Sequence, residues 1–197
     1  MKKYEILDKL LEDNNGYLYT REVVEAGISK TYLAAYVKEK GLERVAQGVY
    51  LSSEEWKDEL YVLQLKNQQA VYSHETALYL HGMMEREPSK ITMTVKYGYN
   101  ATHLRKQGVK VFQTRENRLF LGQCEVKTNF GNIVMVYNKE RTMCDIVGNK
   151  KNMDIQIFQT ALKEYAKEKG KNLTELMEYA FLLGVEEEMR RYTEVLL

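Results

Sequence analysis

Thr20-Arg21-Glu22-Val23-Val24-Glu25-Ala26-Gly27-Ile28-Ser29-Lys30-Thr31-Tyr32-Leu33-Ala34-Ala35-Tyr36-Val37-Lys38-Glu39-Lys40-Gly41 is the stretch on which the fold turns. Thr20 reads as the N-cap of a brief helix over 21–26, with Gly27 in the C′ position that favours a left-handed residue. Ser29 reads as the next N-cap and opens a second helix over 30–40 that Gly41 ends. The connection Ala26-Gly27-Ile28-Ser29 has the length and composition of the turn in a helix-turn-helix pair. Upstream, Ile6, Leu7, Leu10 and Leu11 are spaced as one buried helix face, and Asn14-Asn15-Gly16 breaks it. Tyr17-Leu18-Tyr19 is short and β-prone. Downstream, Glu43-Arg44-Val45 and Val49-Tyr50-Leu51 flank Ala46-Gln47-Gly48, a hairpin with glycine in its turn and the pattern of a wing.

At 100° per residue, Leu33 and Val37 share the inner side of the second helix, with Ala34 on its margin. Thr31, Tyr32, Ala35 and Lys38 fall on the opposite side, Tyr36 lies between, and Glu39 falls outward near the C-terminal end. Recognition helices meet base edges near their N-terminal residues, and a small Ala35 lets a backbone sit deep in a groove. The candidate DNA contacts are therefore Lys30, Thr31, Tyr32, Tyr36 and Lys38 on the helix, with Arg44 and Gln47 on the wing. A solvated face on a winged helix that binds no DNA is the competing reading, because fold does not fix function.

Beyond the wing, Ser52 or Ser53 with Glu54-Glu55 reads as the start of a helix through Trp56, Leu60, Leu63 and Leu65. Ala70 to Tyr72 reads as a buried strand, and Ser73 as the cap of a helix over 74–81 closed by Gly82. Strands are expected at 91–95 and 109–112, with a hairpin over 124–137. From Glu140 the pattern is helical, at about 140–147, 155–169, 173–182 and from Val185 to the end. The expected class is α+β: a winged helix-turn-helix over 1–52, then a mixed α/β domain over 53–197 with a helical C-terminal end. A fragment beginning near Ser53 is expected to fold alone.

With 44 % apolar and 29 % charged residues, the chain has the composition of a globular protein. The start has no uninterrupted apolar run and no window is long enough to span a bilayer, so a soluble, cytoplasmic protein is expected. Cys124 and Cys144 lack metal or redox spacing and read as reduced thiols. Tyrosine is frequent, 15 residues, whereas Pro88 is the one proline, a bias we assign mainly to composition rather than to an interface. Net charge is only +1, but its distribution is uneven. Residues 1–50 are balanced, whereas Lys90 to Arg115 contains Lys90, Lys96, Arg105, Lys106, Lys110 and Arg115 with no acid at all. Since phosphate neutralisation dominates duplex binding, Arg105, Lys106 and Lys110 are expected to help hold DNA. A solvated basic face, or one that binds another nucleic acid, is the alternative.

Catalytic motifs fare poorly. His74-Glu75-Thr76-Ala77-Leu78 opens like a zinc-protease helix, but leucine stands where the second histidine is required, and His81 lies two turns on. Glu125-Val126-Lys127 has the E-x-K pattern of metal-dependent nucleases, with Glu116 as a conceivable partner, yet Glu55-Trp56-Lys57 repeats it by chance. No nucleophile motif or phosphate loop is present. The expectation is a binding protein, not an enzyme, with no cofactor and no metal.

Three segments, in order, are similar to those of the AbiEi family, antitoxins of type IV abortive-infection toxin–antitoxin systems. They are Arg44-Val45-Ala46-Gln47-Gly48-Val49-Tyr50, then Ser73-His74-Glu75-Thr76-Ala77-Leu78 with His81-Gly82-Met83, then Glu140-Arg141-Thr142-Met143-Cys144-Asp145. Thr76 stands where serine is common and Met83 where leucine is. The resemblance implies a transcriptional autorepressor that binds its own double-stranded operator, at inverted repeats. It also implies that the C-terminal domain antagonises a nucleotidyltransferase-like toxin without a stable complex. His74, Glu75, His81, Glu140, Arg141 and Asp145 are scaffold or site; Arg141 and Asp145, four apart, also fit an ordinary intrahelical pair worth only about 0.3 kcal/mol. An ordinary winged-helix transcription factor with a dimerising or ligand-sensing C-terminal domain is the other reading.

Overall fold

The computed structural model describes residues 2–196. The chain divides into two compact units, Met1–Gln68 with Lys127–Ile133, and Gln69–Val126 with Val134–Leu197. This differs from the expected division after residue 52. The reason is local: Val62 packs into one cluster with Tyr17, Val45, Val49 and Leu51, which draws residues 53–68 into the first unit.

The first unit runs α1 (Lys3–Asp13), β1 (Tyr17–Tyr19), α2 (Thr20–Glu25), α3 (Lys30–Lys40), β2 (Glu43–Ala46), β3 (Val49–Leu51) and α4 (Glu59–Lys66). Its sheet has the order β1-β3-β2, antiparallel throughout, with Tyr17 opposite Leu51 and a register shift between Arg44 and Ala46. The helices close over Leu7, Leu18, Val23, Ile28, Leu33 and Tyr36. Ser29 caps α3 by accepting from the Tyr32 amide at 3.3 Å. Gly41 ends it at φ +67°, a conformation that costs glycine little and other residues more.

Two local expectations are revised. Thr20 is the first residue of α2 rather than its cap, because its amide donates to the Gly48 carbonyl at 2.8 Å. The helix expected from Ser52 begins only at Glu59, where Asp58 caps it through the Tyr61 amide at 3.0 Å, and Trp56 is left 84 % exposed. Asp58 is itself buried. Its second oxygen accepts from Thr128 Oγ1 at 2.5 Å and Asn132 Nδ2 at 2.9 Å, and its amide donates to Tyr17 Oη at 3.2 Å. A buried carboxylate so fully bonded fixes this unit's geometry; left unpartnered it would cost several kcal/mol.

The second unit runs β4 (Val71–Tyr72), α5 (His74–Leu80), β5 (Thr92–Lys96), α6 (Thr102–Lys106), β6 (Lys110–Thr114), α7 (Glu116–Leu119), β7 (Gln123–Lys127), β8 (Ile133–Tyr137), α8 (Lys139–Asn149), α9 (Ile155–Lys167), α10 (Leu173–Leu183) and α11 (Glu186–Leu196). The sequence reading gave no helix at α6 or α7. The expected last helix, from Val185 to the end, is α11; Leu197 lies outside the described residues. The sheet order is β6-β5-β4-β8-β7, with β4 antiparallel to β5 and parallel to β8, and β5 parallel to β6. Thr92, Met93, Thr94 and Val95 are all buried, as a strand covered on both faces requires. Helices α5 and α8 to α11 enclose Leu78, Met143, Ile146, Val147, Phe158 and Leu176. The fold is α+β, as the sequence implied, and no helix among the described residues is long and apolar enough to cross a membrane.

Candidate nucleic-acid interface

Helix α3 turns its inner face through Leu33 and Tyr36, both buried, with Val37 half-buried beside them. Tyr36 was expected among the DNA contacts; the structure corrects this. Its ring is fully buried, and its hydroxyl donates to Asp8 Oδ1 at 2.7 Å, which holds that carboxyl below the usual range. A phenol spent in this way reads no base.

The remaining helix candidates differ in how free they are. Lys30, Thr31 and Lys38 are exposed, as are Ala34 and Ala35. Tyr32 is half-buried: its ring meets Tyr4 edge-on at 5.6 Å, and Lys3 Nζ lies 5.2 Å above it. Glu39, an unfavourable charge beside phosphate, accepts a hydrogen bond from the Tyr4 hydroxyl. On the hairpin, Arg44 and Gln47 are exposed, while Val45 and Val49 anchor the strands beneath.

In the second unit Arg105 and Lys106 project from α6 into solvent. Lys110 is only half-exposed, with Glu75 Oε1 3.6 Å from its Nζ and the Phe112 ring centroid at 5.1 Å. Part of its charge is therefore already answered.

In the two remaining motifs His81, Glu140 and Arg141 are bonded within the unit. His81 Nε2 bonds the Tyr137 carbonyl at 2.7 Å. Glu140 Oε1 accepts from the Asn172 amide at 2.9 Å and Tyr165 Oη at 3.3 Å, fastening the start of α10. Arg141 is 1 % exposed and lies over the Tyr137 ring at 4.1 Å. Its Nη1 donates to the carbonyls of Arg118 at 2.8 Å and Leu121 at 2.9 Å, and its Nε donates to Asp145 Oδ1 at 3.1 Å. The pair is buried, so the small surface value expected from its spacing does not apply. Gly122 is required here. It has φ +72°, and a Cβ would come within 2.6 Å of Arg141 Cβ.

His74 and Asp145 behave differently. His74 takes φ +49°, uncommon for a side-chain-bearing residue, and its ring stacks on Phe112 with centroids 3.5 Å apart. Burial, then the cations of Lys110 and Arg141, hold its pKa down to about 3, so the ring is neutral. Burial pushes the Asp145 carboxyl up to about 6 against the pull of Arg141.

The nuclease pattern does not assemble. Glu125 is exposed on β7 and Glu116 pairs with Lys96 at 3.1 Å. Among the described residues no group of three or more His, Cys, Asp or Glu side chains is placed to hold a metal ion.

A helix pair joined by a tight turn, followed by a hairpin with polar side chains outward, suits a transcriptional regulator, and a family of such regulators matches here. Residues 5–53 match the family described as "Transcriptional regulator, AbiEi antitoxin". Residues 54–197 lie outside the matched span. The crystal structure of RV2827C protein from Mycobacterium tuberculosis aligns over 97 % of this chain and 79 % of its own length, at 13 % identity and a TM-score of 0.48. No curated protein matches the sequence.

Proposed function

We propose that this chain is a cytoplasmic antitoxin and autorepressor. Its N-terminal unit is a winged helix-turn-helix that lays α3 in the major groove of its own operator. Thr31 stands near the N-terminal end of α3, where base edges are met, with Tyr32 behind it as a half-buried support. Lys30, Lys38, Arg44 and Gln47 contact phosphate or groove edges from the helix and the wing. Arg105 and Lys106, with a smaller share from Lys110, add phosphate contacts that a charge-balanced N-terminal unit lacks. The C-terminal unit antagonises a nucleotidyltransferase-like toxin without a stable complex.

The observation that carries this reading is the family match over residues 5–53, the span that includes α3 and the hairpin. Two experiments test it. Footprinting on the DNA upstream of its own gene should protect paired inverted repeats, and co-expression with the neighbouring gene's product should rescue growth. No protection would remove the repressor reading, and no rescue the antitoxin reading.

A further inference from the structure

The second unit contains a cavity of about 310 Å³ bounded by β5, β6, α7 and α8. Its wall on α8 carries Asp145 and Asn149, one helical turn apart and hence on one face. Asp145 Oδ2 and Asn149 Nδ2 are both buried and both lack a hydrogen-bond partner. Their complements are already engaged, Asp145 Oδ1 by Arg141 Nε at 3.1 Å and Asn149 Oδ1 by Asn152 Nδ2 at 3.2 Å. An unmet acceptor beside an unmet donor is rare inside a folded protein, and each such group asks for an explanation. The strained His74 and Phe112 form a stacked pair of flat rings in the same lining, and Arg118 lines it too.

We propose that this cavity binds a free mononucleotide, with the base edge read by Asp145 Oδ2 and Asn149 Nδ2 and the phosphate held by Arg118. Three features select that class. The charge of Asp145 is already matched by Arg141, which is itself buried, so a second cation would meet repulsion; the open oxygen calls for a neutral N–H donor. Every nucleobase carries such a donor next to an acceptor on one planar edge, which Asn149 Nδ2 satisfies. A flat heterocycle also suits a wall of stacked rings, and Arg118 supplies the guanidinium that a phosphate prefers. The volume lies at the lower end of small-molecule sites, enough for one nucleotide.

Calorimetric titration of the full-length protein with AMP, GMP, CMP and UMP tests this. At least one should bind with a Kd below about 1 mM, and Asn149→Leu should weaken it at least about tenfold. Asp145→Asn should do the same where it folds; Asn149→Leu carries the test where it does not. Arg118→Gln should leave the nucleotide binding no better than its nucleoside, whereas in the parent the nucleotide is preferred. The proposal is overturned if none of the four binds up to about 5 mM. It is overturned equally if binding is untouched by Asn149→Leu in a variant that melts like the parent.

Discussion

Acidification should destabilise the C-terminal unit through His74, by an amount set by where the ring lies. The imidazole is 5 % exposed, stacked on Phe112, and held to a pKa of about 3 by burial first and then by Lys110 and Arg141. The unfolded chain accepts a proton near pH 6.5 that the folded ring refuses. The stability this group contributes is therefore complete above about pH 6.5 and is lost as pH falls toward 3. Between about pH 7.5 and pH 4.5 the loss spans roughly two pH units below 6.5, or about 3 kcal/mol. Asp145 works in the opposite direction. Its folded pKa is raised to about 6, so its contribution is complete below the ordinary carboxylate value and is lost as pH rises through 6. Over the same descent it returns about 2 kcal/mol, which masks His74 in the parent alone. Comparison with His74→Asn isolates the effect, since asparagine tolerates a positive φ and does not titrate. Urea unfolding followed by circular dichroism, at both pH values, should show the parent losing about 2–3 kcal/mol more than the variant on acidification. Equal losses, within about 0.5 kcal/mol, would refute the assignment of a buried neutral ring.

Three further outcomes are expected. Thr31→Ala should weaken specific operator binding by about 1–3 kcal/mol with the melting temperature unchanged, whereas Tyr32→Ala should lower both, because that ring also packs on Tyr4. Gel-shift titration and thermal melts of the two variants check this, and the same loss of melting temperature in both would contradict it. Changing Arg105 and Lys106 together to glutamine should make the salt dependence of operator affinity shallower by about one unit per lost phosphate contact; an unchanged slope would leave DNA binding to the N-terminal unit. Arg141→Ala should cost about 3–5 kcal/mol in chemical denaturation, since it strands the Asp145 carboxylate and frees two carbonyls; a loss under about 1 kcal/mol would return the pair to the surface class.

The N-terminal elements were legible because their signals are local. Ser29, Gly41 and the glycine of the hairpin turn act on their own neighbours, and the helix and strands fall where those residues place them. Tyr36 was misplaced because helix angle alone cannot decide between core and groove at an intermediate position. What settles it is Asp8, 28 residues away, which accepts from the hydroxyl. The same limit hid the start of α4. Ser52 and the following acids have the composition of a helix entrance, but the true cap is Asp58, whose partners lie 70 and 74 residues downstream. In the second unit, the spacing of Arg141 and Asp145 was visible while their burial was not. Burial changes an ordinary surface pair into the floor of a polar cavity. The stacking of His74 on Phe112 joins α5 to β6, a contact that no periodicity reports.

The bonds from Asp58 to Thr128 and Asn132 also impose a timetable. During synthesis the aspartate leaves the ribosome about 70 residues before the first of these partners, an interval of roughly 4–14 seconds at usual elongation rates. Until then the carboxylate that caps α4 has water for company on its other oxygen. The first unit therefore reaches its final form only after β4 to β7 have been made, although most of its residues emerge first. A nascent chain halted before Thr128 would hold every element of that unit's sheet and helices, and still lack the strands' end that finishes it.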